Sequence, residues 1–241
     1  MTLAPGTPAP DVFSPGRIGN VTLRNRSVKA ATFEGRCPEG RVTDELIEFH
    51  AEYARGGVGM TTVAYLATSP EGRTDRHQYH WGMDDGGQLR KLTDAVHAEG
   101  AAISAQVGHA GAVANSASNG MPAMGPSRIP APTGMSLTKA CTEADIDRII
   151  GDHVRAAKGA HNAGFDAIEV HFGHNYLVSE FLSPKLNRRK DSYGGSLENR
   201  ARFARRLGCA TRDEMGDKIA VTMNLNMDDG VPRAPWIEQA V

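Results

Sequence analysis

Residues 163–203 read AGFDAIEVHFGHNYLVSEFLSPKLNRRKDSYGGSLENRARF, and they carry the pattern on which the architecture turns. From Asp166 to Phe172 the side chains alternate. Ile168, Val170 and Phe172 go to one face and Glu169 and His171 to the other, the period-two geometry of a strand. The strand therefore delivers His171, His174 and Tyr176 to the point where it gives way to a loop. NRRKDSYGG is loop chemistry, and Ser196 is placed to cap a helix from Leu197 to about Met215. The polar run from Asn187 to Asp191 and the helix charges Glu198, Arg200 and Arg202 read as loop anchors and solvated helix surface.

Four more strand candidates flank this unit: Asn25 to Thr32, Val58 to Ala67, Ala101 to His109 and Lys218 to Asn226. Helical patterns separate them. One runs from Asp44 to Arg55 behind a Thr43 cap, and one from about Gly87 to Ala98 with Gly100 as its closing residue. A third opens on Thr142 with Asp145 three residues on, a capping box, and ends near Asn162. Strand–helix alternation of this kind builds a parallel sheet with crossover helices. The third, fourth and fifth strands each show one apolar face and one small or polar face. That is the plan of a barrel stave, since a doubly wound sheet would make both faces apolar. Residues 1–241 read as one domain, with 1–24 as a lead-in and 111–141 as a long loop after the third strand.

With 241 residues, 40% hydrophobic and 23% charged, the chain is long enough to bury a sizeable core. A formal net charge of −1 and no basic block argue against nucleic acid or an anionic membrane as partner. No apolar run is long enough to span a bilayer, and the opening MTLAPGTPAPDVF lacks the features of a signal peptide, so cytoplasmic residence is expected. Cys37, Cys141 and Cys209 are far apart and odd in number, so free thiols are expected and neither a disulfide framework nor a metal site is indicated. The G-x-G of RGGVGMTT precedes a strand instead of following one, so it is no dinucleotide fingerprint.

The run H-x-x-H-x-Y-L followed by FLSPKLNRRKDSYGGSLENRARF resembles the Old Yellow Enzyme family of NADH:flavin oxidoreductases, which includes enoate and 2,4-dienoyl-CoA reductases. DVFSPGRIGNVTLRNRSVKAATFEG and LTDAVHAEGAAISAQVGHAG extend the resemblance from Val12 to Gly230. It implies an α/β fold, a (β/α)8 TIM barrel of the FMN-linked type, with the site at the C-terminal ends of the strands. Only about the first five βα units are present. At roughly 48 residues per unit, eight would need about 385, within the range of such barrels. The chain is accordingly expected to be a truncated reading frame or fragment.

By the same resemblance FMN is the cofactor, NADH or NADPH the hydride donor, and an activated alkene (enone, enoate or enoyl thioester) the substrate. Gln106 matches the glutamine at the flavin pyrimidine. Ala30, Ala31 and Thr32 match the segment passing under the ring, with the Thr32 hydroxyl near O4 or N5, and Tyr65 matches a backbone contact. His171 and His174 match the pair that binds the substrate oxygen and stabilises the enolate as hydride reaches the β-carbon. Tyr176 matches the donor of a proton to the α-carbon. Asn224 is a departure: relatives commonly place an arginine or lysine there, beside flavin N1 and O2, where a cation would favour reduction.

Two other readings stand beside this one. In the first, His109, His171 and His174 bind a divalent cation in a metal-dependent barrel hydrolase or lyase, although no H-x-H on the first strand and no carboxylate cluster accompany them. In the second, the chain is a catalytically silent remnant unable to hold FMN. Whether it forms a homo-oligomer is left open by the sequence.

Overall fold

The structure, a computed structural model, describes residues 11–226. Five strands form one curled parallel sheet, half of a barrel wall: β1 (Val28–Lys29), β2 (Met60–Ala67), β3 (Ala102–Gly108), β4 (Ala167–Phe172) and β5 (Ala220–Leu225), in the order β5-β4-β3-β2-β1. The helices that follow them are α1 (Asp44–Arg55), α2 (Gln88–Ala98), α3 (Glu143–Asn162), α4 (Leu177–Leu182), α5 (Leu197–Arg200) and α6 (Arg202–Met215). Thr43 caps α1 through Leu46 N–H, and Thr142 with Asp145 closes a reciprocal capping box on α3.

The two faces of the sheet divide as the alternation requires. Ile103, Ala105, Val107, Ile168, Val170 and Phe172 pack outward with Leu46, Leu92, Ile146 and Leu207 of the helices in the main core. Each Ile, Leu, Val or Phe among them, fully buried, contributes about 1.5–3 kcal/mol. The opposite face carries Ala102, Ser104, Gln106, Ala167, Glu169 and His171, and it is the inner wall of the barrel. Register sets Glu169 opposite both Gln106 and Thr222, and His171 opposite Asn224.

Several expected boundaries move. The first strand, expected over Asn25 to Thr32, keeps ladder pairing only at Val28 and Lys29, because side chains take over the next partners, as described below. The lead-in is not featureless: Gly16–Ile18 and Val21–Leu23 form an antiparallel hairpin. Its Leu23 packs with Met60, Ala167 and Ala220 at the N-terminal ends of the strands, plugging the base of the wall. The long loop holds a 3-10 turn at Gly111–Val113, a short helix at Ser116–Asn119 and four two-residue strand fragments joined in two pairs.

The helix expected from Leu197 to Met215 tightens at Ala201 (φ −78°, ψ −9°), dividing it into α5 and α6. Arg200 corrects the reading of that helix as solvated surface. Its side chain is buried, donating from Nε to Leu182 O (2.7 Å) and from Nη1 to Gly195 O (2.6 Å). It ties the end of α4 to the following loop. The expected start of a further helix after β5 lies outside the described residues.

Candidate active site

Three aromatic or imidazole groups expected at the end of β4 do converge there. His171 is buried, and its ring lies 4.9 Å from His174 and 4.6 Å from Tyr176, centroid to centroid. Tyr65 completes the cluster, 5.2 Å from Tyr176 and 6.1 Å from His171. The backbone does the aiming. His174 and Asn175 both hold left-handed conformations (φ 57° and 55°), and the Asn226 carboxamide oxygen accepts the His174 N–H at 2.9 Å. Gly108 lies beneath: a Cβ there would press on His171 Cβ at 3.0 Å, so the strand must be bare where the imidazole crosses it.

Hydrogen bonds assign the tautomers. His171 Nδ1 accepts Gly173 N–H at 3.2 Å, which leaves its proton on Nε2, aimed at His174 Nδ1 3.2 Å away. His174 then carries its own proton on Nε2. Burial, with His174 adding to it, pulls the His171 pKa down to about 4, so the ring stays neutral at physiological pH. Burial raises that of the Tyr176 phenol, which remains a protonated donor.

One layer deeper, Gln106 is 4% exposed and its Nε2 donates to Glu169 Oε1 at 2.6 Å. That fixes the carboxamide with its oxygen and its second N–H unspent. Asn224 lies across from His171 on β5, its carboxamide so close to Gly173 that a Cβ there would collide with it. Tyr65 sits at a bulge between Val63 and Leu66. Its carbonyl is taken by Gln78 Nε2 (2.6 Å) and its hydroxyl donates to Gly72 O (2.9 Å), so its ring is what it brings to the cluster. Ala30, Ala31 and Thr32 lie past the end of β1, at the opposite edge of the sheet from Asn224.

Sequence reasoning gave no role to Glu169, Asn226 or Glu180. Glu169 and Asn226 were legible as inward polar positions, but their partners depend on register and on the turn after β4. His109 turns to Glu71 (3.9 Å) and accepts Gly111 N–H on Nδ1. Among the described residues no group of three His, Cys, Asp or Glu side chains could hold a metal ion. The three cysteines are free thiols.

Glu180 on α4 is buried, with Oε1 accepting Ala112 N–H at 2.6 Å, and burial raises its pKa from 4.5 to about 8. The folded chain therefore holds a proton that the unfolded chain releases above pH 4.5. The contribution of this group to stability is greatest below that value and falls until the carboxyl ionises near pH 8. Glu180→Gln removes this dependence. Urea unfolding at pH 5 and pH 9 is expected to show a smaller loss for the variant than for the parent, and equal losses would contradict the burial of this acid.

Near this rim the inner wall is lined by small and polar side chains. Its floor is made of small residues, Ala30, Ala31, Ala64, Ser104 and Gly108, and Gln106, Thr32 and Asn224 offer donors and acceptors around it. Polar groups gathered at the C-terminal rim of a parallel barrel wall are placed where barrel enzymes carry their sites. The chain belongs to the NADH:flavin oxidoreductase / NADH oxidase family, whose profile matches residues 11–235. FMN and NAD(P)H are the cofactors of that family.

The chain is 54% identical to the 4,4'-dithiodibutanoate disulfide reductase of Rhodococcus erythropolis, over 100% of this chain and 59% of that one. It is 40% identical to a metal reductase of Desulforamulus reducens, over 92% of this chain and 33% of that one. Among solved structures, morphinone reductase in complex with tetrahydroNAD matches with a TM-score of 0.86 at 27% identity, covering 96% of this chain and 68% of that one. An Old Yellow Enzyme homologue from Zymomonas mobilis gives 0.85 at 27%, covering 95% and 68%. The chain thus spans about three fifths of the disulfide reductase and a third of the metal reductase. No helix among the described residues is long and apolar enough to cross a membrane.

Proposed function

We propose that the protein reduces a small alkene conjugated to a carbonyl, carboxyl or thioester group, using FMN and NADH or NADPH. The observation that carries this is the meeting of His171, His174 and Tyr176 at one strand end, above Gln106. When bound, FMN supplies a hydride at its N5. Gln106, Thr32 and Asn224 would hold the ring by hydrogen bonds, and the backbone of Ala30 and Ala31 would line it. Tyr65 closes the wall behind the histidines.

His174 Nε2–H and, once it turns from its neighbour, His171 Nε2–H donate to the substrate oxygen. They stabilise the negative charge that gathers there as the double bond is reduced. His171 acts as a neutral donor, since burial holds its pKa near 4. Tyr176 gives the α-carbon its proton. Asn224 bonds without charge, so the reduced cofactor is less favoured here than where a cation occupies that position.

A second reading is supported by the 54% identical relative: a carboxylate-bearing disulfide in place of the alkene. Two electrons and two protons would cleave its S–S bond into two thiols, with the carboxylate on the paired imidazoles. The test is to load the purified chain with FMN and supply NADH or NADPH under anaerobic conditions. Cyclohexenone and 4,4'-dithiodibutanoate are then offered separately, with the saturated ketone and free thiol measured. Ketone supports the first reading, thiol the second, and neither product with FMN bound would sink both.

A further inference from the structure

At the edge of the sheet, β1 and β2 stop pairing after two residues, and a buried ion pair supplies the missing partners. Lys29 Nζ reaches Glu34 Oε1, Ala30 O and Thr62 O, each at 3.2 Å, and Thr32 Oγ1 at 3.4 Å. The Glu34 carboxylate accepts Ala64 N–H at 3.1 and 3.2 Å, where the next ladder bond would have fallen. His50 Nε2 stands 3.5 Å from the same carboxylate. The side chains of Lys29 and Glu34 are 9% and 4% exposed, and the ammonium lies over Phe49 and Tyr53, 5.5 and 5.7 Å from their ring centroids. A buried pair is tolerable only when its donors and acceptors are satisfied, and here they are satisfied by backbone.

We propose that Lys29 is a positioning residue that makes Thr32 an obligate donor towards the flavin. An ammonium has three hydrogens and no lone pair, so its four acceptors share three hydrogens, and in the contact with Nζ Thr32 Oγ1 is the acceptor. The Thr32 hydroxyl hydrogen must therefore point elsewhere, and Thr32 is exposed beyond the end of β1. The inference rests on the functional reading above, in which Thr32 bonds the ring. It also explains how a chain with the neutral Asn224 assists reduction from the other edge of the sheet. There a fixed, charge-polarised hydroxyl is the donor offered to the ring. The Lys29–Glu34 pair further clamps Ala30 to Thr32 against β2, so the donor is held in place before the cofactor arrives.

Two measurements test this. In the FMN-free chain, hydrogen exchange at the Ala64 amide is expected to quicken at least tenfold in Glu34→Gln and in Lys29→Met. In the FMN-loaded chain, Lys29→Met is expected to lower the flavin midpoint potential, and that lowering is expected to vanish in a Thr32→Val background. Equal lowering in both backgrounds would overturn the role of Thr32 as intermediary, as would no lowering at all. Unchanged exchange at Ala64 with normal FMN uptake would overturn the clamp alone. Failure of the unsubstituted chain to take up FMN would overturn the functional reading and the role of Lys29 towards the ring, while the exchange arm still decides the clamp.

Discussion

Replacing Tyr176 with phenylalanine is expected to slow alkene reduction by about 10²–10⁴-fold, the range a positioned general acid commonly supplies. The ring would keep its place, because its contacts with Tyr65 and His171 are made by the aromatic face and edge. What is lost is the proton that burial keeps on the phenol. Binding of a substrate analogue to the FMN-loaded chain should change little, so the loss should fall on kcat. Disulfide cleavage responds differently. Its products leave as thiolates, which take their protons from water, so the same variant should retain most of that activity. Parallel assays of the two substrates give the result, and an unchanged alkene rate would remove Tyr176 from the mechanism.

The second large effect is on stability. Phe203 on α6 and Phe181 on α4 are fully buried, with ring centroids 4.7 Å apart. Phe203→Ala is expected to cost about 3–5 kcal/mol, the sum of lost transfer energy and a cavity the helices cannot collapse. Because α4 begins one residue after Tyr176, the loss should also loosen the catalytic rim. Urea unfolding gives the energy, and Phe203→Leu, which leaves a smaller void, should recover more than half of it. A cost below about 1 kcal/mol would mean that α4 and α6 are not seated on each other as described.

Much of this architecture was legible because its signals are local. Alternation in Ile103–Val107 and Ile168–Phe172, the caps Thr43 and Thr142, and the closing Gly100 each follow from neighbouring residues. The short elements were not. The three-residue strands of the hairpin at Gly16–Leu23 are too brief to show a period. Helix α4 is buried at five of its six positions, so LVSEFL has no polar stripe to mark it as helical. At the site, His171, His174 and Tyr176 were placed by where the strand had to end. Lys29 read as an ordinary strand residue, and its ion pair became visible only once β1 was seen to stop at two residues. Arg200 misled for a related reason: its spacing is that of a surface helix, and only the fold turns it inward.

The left-handed backbone at His174 limits what substrate engineering can attempt there. Few residues other than glycine accept a positive φ readily, and asparagine, aspartate and histidine lead among them. Of these, histidine and asparagine carry an N–H donor at neutral pH and aspartate does not. A library at this position for altered substrate preference is therefore nearly binary. Diversity is better introduced at Val113 or Leu186, which line the neighbouring pocket on backbone without a positive φ.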